Sequence, residues 1–438
     1  MSRIVGIEIR RSAAFGAALL IAVAGAIVLQ ATSGRWSSGW MALVMVQREY
    51  LIVLVPLTMA AGAWQSYREH RANVAELFAT VPRPRALQIV PALIATGLAA
   101  LVAYLVSLAA AVPRIIDTAS YLPAAAFAAV AVGVLTLVVA FWLGLGLGRL
   151  RPALATAPAV AVIGFAVLAF APQIFSSGAP AAAFFPGSGM SVFNVYDTVG
   201  GRISATQALW LVALAAAAFV LFAVRDHRFA PAALAPLVVG ATLTALVMPT
   251  GDAFERAKLD PVAQQLVCTK DDGPRVCVSR ANESMLREVT PKARHALELL
   301  STTTPIVEAH EDTSTFSPKT APAPRADTVL MNVQPDKSGH LAFPGRLELQ
   351  MLTGAFGGPV RCGDSRNYTV GTVAAFFLLG REPATGLDGT EFEDPEAVQL
   401  YRDLTALPKG EADARMTAVY RASQQCRDAM AILTGGAR

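Results

Sequence analysis

The chain has 438 residues, of which 54% are hydrophobic and only 16% are charged, and its formal net charge is +4. The apolar share exceeds what a soluble core of this size requires, so the composition excludes an ordinary soluble protein and predicts an integral membrane protein. Residues 1–251 carry 15 Arg, no Lys and 7 acidic residues, a net charge of +8, whereas residues 252–438 carry the other 21 basic and 25 acidic residues, a net charge of −4. This balance gives no indication of nucleic-acid binding.

Apolar segments long enough to cross a membrane as helices fill the first part of the chain. Seven qualify: 13–31, 50–66, 88–112, 122–147, 153–172, 206–224 and 231–250. The loops on one side of these spans hold 11 arginines and those on the other side hold 4. Because basic residues concentrate in cytoplasmic loops, the N-terminus is predicted to be cytoplasmic and the tail, after seven crossings, extracytoplasmic.

All four cysteines lie in the tail: Cys268, Cys277, Cys362 and Cys426. Their absence from the membrane part favours an oxidising compartment for the tail. Four cysteines allow three pairings, and the most local joins Cys268 to Cys277 across a turn at 272–274, which would leave Cys362 with Cys426. The spacings typical of zinc sites are absent, so disulfides are favoured over a metal.

The tail from residue 251 is predicted to be a small α+β domain. Amphipathic runs near 284–302, 345–355, 394–406 and 411–433 indicate helices, and short β-prone runs lie at 306–309 and 328–333. The run 369–380 is apolar but too short to span a membrane, so it is predicted to be the core helix of this domain.

The loop after the second predicted span carries a short amphipathic helix. Asn73 suits an N-cap position, Glu76 follows three residues later, and Pro82 and Pro84 end the helix. Its apolar residues recur at helical spacing: Val74, Leu77, Phe78 and Val81. A helix of two turns is marginal alone, so this stripe is expected to pack on something. One alternative is the lipid headgroup layer, with the nearby arginines on anionic lipid; the other is a groove on a cytoplasmic partner.

The loop has the form RExR…ELxxxxPxxR, which falls on Arg68, Glu69, Arg71, Glu76, Leu77, Pro82 and Arg85. Together with the basic N-terminal stretch IEIRRSAAF and the spans that follow, it resembles permeases of type-2 ABC exporters of an actinobacterial kind. The resemblance covers roughly residues 1–225. It implies that the loop is a coupling helix that docks on a separate ATPase subunit, which would hold ATP and Mg²⁺, and that a second permease copy or a homologue completes the transporter.

The resemblance implies an all-α polytopic membrane protein with a six-span permease domain at 1–230. The apolar runs, the arginine bias and the cysteines add a seventh helix at 231–250 and an extracytoplasmic disulfide-containing domain at 251–438. The chain departs from the family at Ala72 and Asn73, where Gly-Thr is common, and in its seventh span and tail. It has no phosphate-binding GxxxxGK[ST] loop, so it is not expected to be an enzyme or to bind a cofactor or a metal itself. The expected cargo is hydrophobic or amphipathic.

Three further features of the sequence have two interpretations each. The run Gly144 to Gly148 is interpreted as small residues for close helix packing rather than a nucleotide loop. Arg48 and Glu49 are interpreted as a pair at the membrane interface, with a functional pair deeper in the membrane as the alternative. The rival to transport is a membrane-anchored receptor or accessory protein whose external domain binds a ligand.

Overall fold

The computed structural model describes residues 14–37, 39–72, 85–174, 183–185, 187, 195–224, 227–249, 258–314, 325–336, 338–359, 366–383 and 394–436. The chain is mostly helical with a small sheet, and it divides into two compact units. The first comprises residues 1–116 and 122–260, and the second comprises residues 117–121 and 261–438.

The described residues of the first unit form nine α-helices. They are α1 (Ala14–Ala31), α2 (Trp40–Glu49), α3 (Leu51–Arg71), α4 (Arg85–Ala109), α5 (Val112–Ile115), α6 (Ala124–Leu150), α7 (Thr156–Ile174), α8 (Gly201–Ala223) and α9 (Leu234–Val247). Six helical segments are individually long and apolar enough to cross a membrane, and α2 with α3 makes a seventh if this pair, bent by 52°, counts as one span. These helices indicate a multi-pass membrane protein.

The helix α6 lies at the centre of the first unit. It packs along α3, α4 and α8, whereas α1 packs mainly on α4, and α9 mainly on α8. The sequence of α6 is almost entirely Ala, Val, Leu and Gly, and half of its best 18-residue window is buried, against 17% for the corresponding windows of α7 and of the last span. Small side chains at the centre let neighbouring helices approach closely.

The second span differs from its predicted bounds, 50–66. It begins ten residues earlier, with α2, and continues five residues further, to Arg71. The polar run from Gln47 to Glu49 ends α2 and interrupts the hydropathy of the segment. A search for uninterrupted apolar runs therefore misses α2, and polar residues at the far end of α3 shorten that helix in the same way.

The second unit contains a four-stranded sheet. Its strands are β3 (Leu266–Cys268), β4 (Val276–Ser279), β5 (Glu308–Glu311) and β6 (Thr328–Met331), and they are neighbours in that order. The numbering starts at β3 because the first unit contains a short strand pair, β1 (Asp197–Thr198) and β2 (Lys258–Leu259). The strands β3 and β4 form an antiparallel hairpin, while β4, β5 and β6 are parallel neighbours. The predicted turn at 272–274 joins β3 to β4, the β-prone run 328–333 contains β6, and the run 306–309 overlaps β5, which lies two residues further along the chain.

Helices cover this sheet and enclose one apolar core. They are α10 (Leu286–Leu300), α11 (Pro344–Gly357), α12 (Arg366–Leu379), α13 (Pro395–Thr405), α14 (Lys409–Gln424) and α15 (Ala429–Leu433). The predicted core helix is confirmed in α12, where Val370, Val373 and Ala374 are fully buried. The run predicted at 411–433 is two helices, because the backbone turns at Cys426, whose φ is +54°.

Candidate functional site

The cytoplasmic end predicted for the second span is the last turn of α3. Arg68, His70 and Arg71 are exposed there, and Arg71 lies 6.0 Å from the ring centroid of Tyr67. Glu69 is half-buried and accepts a hydrogen bond of 3.0 Å from the side-chain amide of Gln65. This end of α3 is therefore a charged, mostly solvated helix terminus.

Most of the predicted coupling helix lies outside the described residues. This applies to Val74, Glu76, Leu77, Phe78, Val81 and Pro82, and also to the side chain of Arg85, whose backbone begins α4. Its docking role therefore stays a prediction. The structure does fix the attachment points of the loop, because α3 ends at Arg71 on one side and α4 begins at Arg85 on the other.

A glycine seam joins α3 to α6; we use this name for Gly62 on α3 with Gly144 and Gly148 on α6. A Cβ atom at Gly144 would collide with the carbonyl oxygen of Met59, and one at Gly148 would lie 2.7 Å from the Cα atom of Ala63. The Ser66 hydroxyl also donates to the Leu145 carbonyl at 2.7 Å. The packing interpretation of the run Gly144 to Gly148 is confirmed, and α3 and α6 form one closely packed pair.

Arg48 is completely buried, so it does not snorkel to the surface, and its interpretation as one of a pair with Glu49 was wrong. Its Nη2 donates to the side-chain oxygen of Gln207 on α8 at 2.7 Å. Glu49 is not its partner, because this carboxylate is half-exposed and forms a 2.6 Å ion pair with Arg35. Adjacent residues in a helix point in directions about 100° apart, so Arg48 faces the bundle while Glu49 faces outward.

Further buried polar groups surround Arg48. The side-chain amide of Gln47 donates to the Ser107 hydroxyl at 2.5 Å and to the Tyr104 carbonyl at 3.2 Å. The Tyr104 hydroxyl is buried against Gly133 of α6 and lies within electrostatic range of the guanidinium. We call Gln47, Arg48, Tyr104, Ser107 and Gln207 the buried polar cluster.

Sequence reasoning missed most of this cluster. Gln207 and Tyr104 are polar residues within the long apolar helices α8 and α4. An isolated polar residue in a membrane span is the sequence signal that would have indicated them. Their place beside Arg48 could not be read from the sequence, because Arg48 and Gln207 are 159 positions apart and only the packing of the helices brings them together.

The predicted cysteine pairs can be followed in part. Cys268 and Cys277 are directly opposite in the β3–β4 hairpin and form a disulfide. Cys426 is also disulfide-bonded, while Cys362, its predicted partner, lies outside the described residues. Within the described part of the chain, no group of three His, Cys, Asp or Glu side chains is arranged to hold a metal ion.

Comparison of the chain with protein-family models, with curated proteins and with solved structures finds no match.

Proposed function

We propose that this chain is the membrane subunit of an ATP-driven type-2 ABC exporter, and that it moves a hydrophobic or amphipathic substrate outward through the bacterial plasma membrane. A separate ATPase subunit would hold ATP and Mg²⁺ and dock on the coupling helix at 74–81. A second copy of the chain or a related permease would complete the assembly.

The observation that carries this proposal is the continuity of α3. This helix runs without a break from the bend beside Arg48 to Arg71, at the edge of the proposed coupling helix. The glycine seam makes α3 and α6 closely packed partners along this length. A push on the loop would therefore act on a rigid helix pair, and the change would be absorbed where α3 meets α2 at a 52° bend.

Sidedness within the first unit is consistent with the proposed orientation. The strand β2, which follows α9, pairs with β1, which precedes α8, and the Asp260 N–H donates to the Tyr196 carbonyl at 2.9 Å. Two candidate spans separate these segments along the chain, so an even number of crossings returns the chain to the side on which β1 lies. With the arginine bias, this supports an extracytoplasmic start for the tail.

The test is the double variant Leu77→Asp/Phe78→Asp. Replacing two apolar anchors with charges should cost several kcal/mol of docking, on the order of 2 kcal/mol or more per anchor, because apolar contact is lost and each charge must be desolvated. We expect the ATPase recovered per permease on purification to fall at least tenfold.

The matched control is Leu154→Asp, which introduces a charge at an exposed leucine in the loop between α6 and α7. It should retain the ATPase. Full retention in the double variant, with both proteins inserted equally, would contradict the coupling-helix proposal and leave the helix to the lipid interface.

The second unit favours one rival function. It has its own apolar core and a disulfide, which a ligand-binding receptor or accessory protein would also need. The two proposals differ in what copurifies: a receptor without transport would show no stoichiometric ATPase and no ATP hydrolysis that depends on residues 74–81.

A further inference from the structure

Arg48 has more hydrogen-bonding capacity than its surroundings use. Its Nη2 is bound to Gln207, but Nε and Nη1 are buried and have no hydrogen-bond partner among the described residues. No carboxylate in the described part of the chain forms an ion pair with it. A buried guanidinium with unpaired N–H groups is expensive inside a membrane bundle, so a purely structural role explains it poorly.

Neighbouring groups are unpaired in the same way. The Tyr104 hydroxyl and the Gln47 side-chain oxygen are buried without a partner among the described residues. The unused groups thus include two N–H donors of a fixed positive charge and a phenol that can also donate. Carboxylates and phosphates accept from a guanidinium on either of its donor edges, and the free Nε and Nη1 of Arg48 lie on different edges, so each could donate to an oxygen of such an anion.

The cluster lies beside a joint in the fold. Arg48 is in the last turn of α2, two residues before the bend into α3, and Gln207 lies six residues into α8, about 9 Å from its start at the usual helical rise. Gly187 lies against the carbonyl of Arg48 and has a φ of +108°, and a Cβ atom there would collide with that carbonyl. The cluster is closed in this conformation, and a change of angle between α2 and α3 is the motion that would open it.

Buried apolar side chains lie near the cluster. Leu51 and Leu54 of α3 belong to the same apolar core cluster as Tyr104, and Met41, Val44 and Met45 of α2 belong to one with Ile203, four residues before Gln207. A ligand that bound the guanidinium here would place the rest of its structure against hydrocarbon side chains. This combination suits an anionic head joined to an apolar chain.

We propose that Arg48, with the Tyr104 hydroxyl, binds the anionic head of an amphipathic substrate when the joint between α2 and α3 opens. This proposal rests on the proposed export function and narrows its substrate to amphiphiles that carry a carboxylate or a phosphate. The site lies toward the end of the bundle that faces outward in the proposed orientation.

The test uses the purified full chain, without the ATPase, in an uncharged maltoside detergent, and dodecyl phosphate as the probe. We expect saturable binding by the native protein, weakened at least about 30-fold in Arg48→Met, because a charged partner is lost from a desolvated site. Tyr104→Phe removes only a hydroxyl, and we expect a loss of about tenfold. Dodecanol and inorganic phosphate, which each lack one half of the amphiphile, should bind far more weakly than dodecyl phosphate.

The control variant is Arg35→Met, which removes an exposed arginine paired with Glu49 and should leave binding unchanged. Equal affinity of the native protein and a folded Arg48→Met variant would overturn the proposal, as would equal binding of dodecanol. If Arg48→Met does not fold, the test is decided by Arg48→Lys, which keeps a buried cation, and by Tyr104→Phe, which removes only a hydroxyl. If the native protein does not bind the probe but still copurifies with the ATPase, this site fails and the export proposal stands. If the native protein binds the probe but no ATPase copurifies, the export proposal fails.

Discussion

The two units of the chain bury opposite kinds of surface. In the first unit the large apolar side chains that are most exposed include Ile174, Val162 and Leu246, at 81%, 69% and 75% of their possible surface, while small residues fill the helix contacts. In the second unit residues such as Val289 and Phe356 are fully buried. Water drives apolar groups inward, whereas lipid does not, so the first unit is packed for a membrane and the second for water.

The two units also differ in how fully a buried charged side chain is hydrogen-bonded. Glu311 in the second unit is 3% exposed, and its carboxylate accepts hydrogen bonds from the Ser279 N–H at 2.6 Å and from the Asn282 side-chain amide at 2.5 Å. Arg48 in the first unit is equally buried but keeps two N–H groups unused. A buried charge that is hydrogen-bonded within the protein stabilises one fold, whereas a buried charge with unpaired N–H groups can still donate them to a ligand.

The largest expected effect tests on which side of the membrane the tail lies. After mild reduction of intact cells by a membrane-impermeant phosphine, an impermeant maleimide should label the tail cysteines, because residues 1–251 contain no cysteine and the tail is proposed to be outside. A variant without tail cysteines and with Leu154→Cys supplies the control, since this exposed position lies in a proposed cytoplasmic loop and should react only after lysis. The opposite pattern would reverse the orientation.

The next effect tests the comparison of buried charges. Glu311→Ala leaves the Ser279 and Asn282 donors without this acceptor, so we expect the free energy of unfolding of the tail to fall by about 3 kcal/mol. Arg48→Met, in contrast, replaces an incompletely satisfied charge by an apolar side chain of similar length, so the first unit should be as stable or more stable. Hydrogen exchange of the β4 amides measures the first change, and thermal denaturation in detergent measures the second.

Glu298→Ala is the control for the tail, because Glu298 is exposed on α10, and a change within about 0.5 kcal/mol is expected. If Arg48→Met were as destabilising as Glu311→Ala, the guanidinium would be a structural group and the contrast between the two units would fail.

A smaller effect tests the glycine seam. Gly144→Ala should cost about 2 kcal/mol, because the added methyl group meets the backbone of α3, which cannot move aside without separating the helices. Gly16→Ala is the matched control: it lies in α1 with no atom within 4 Å of the new Cβ, and alanine favours a helix over glycine by up to about 1 kcal/mol. Equal denaturation temperatures for the two variants would show that the seam is looser than the contacts indicate.

The sequence predicts the elements that depend on local patterns, but not the contacts between residues that are distant along the chain. The hairpin at 268–277 and the helix α12 follow from local patterns, namely a turn between β-prone runs and an apolar segment too short to span. The predicted second span starts too late because three consecutive polar residues, Gln47 to Glu49, interrupt its apolar pattern, and tertiary packing stabilises α2 before them. The orientation of Arg48 toward Gln207 depends on which face of α2 meets α8, and no local pattern specifies that contact.

The smallest predicted effect concerns His310 in the second unit. Burial lowers the pKa of His310 below its ordinary value, and the neighbouring carboxylate of Glu308, 3.1 Å away, opposes this only in part, while Arg325 and Arg275 lower it further. When the pH falls below about 6.5, the unfolded chain takes up a proton on this histidine before the folded tail does, so the tail loses stability until the pH is below the folded pKa. We expect the urea midpoint of the tail to decrease modestly between pH 7.5 and 5, and His310→Gln to reduce that slope. His340→Gln, at an exposed histidine of the same unit, is the matched control, and a slope that His310→Gln leaves unchanged would assign the pH dependence to other groups.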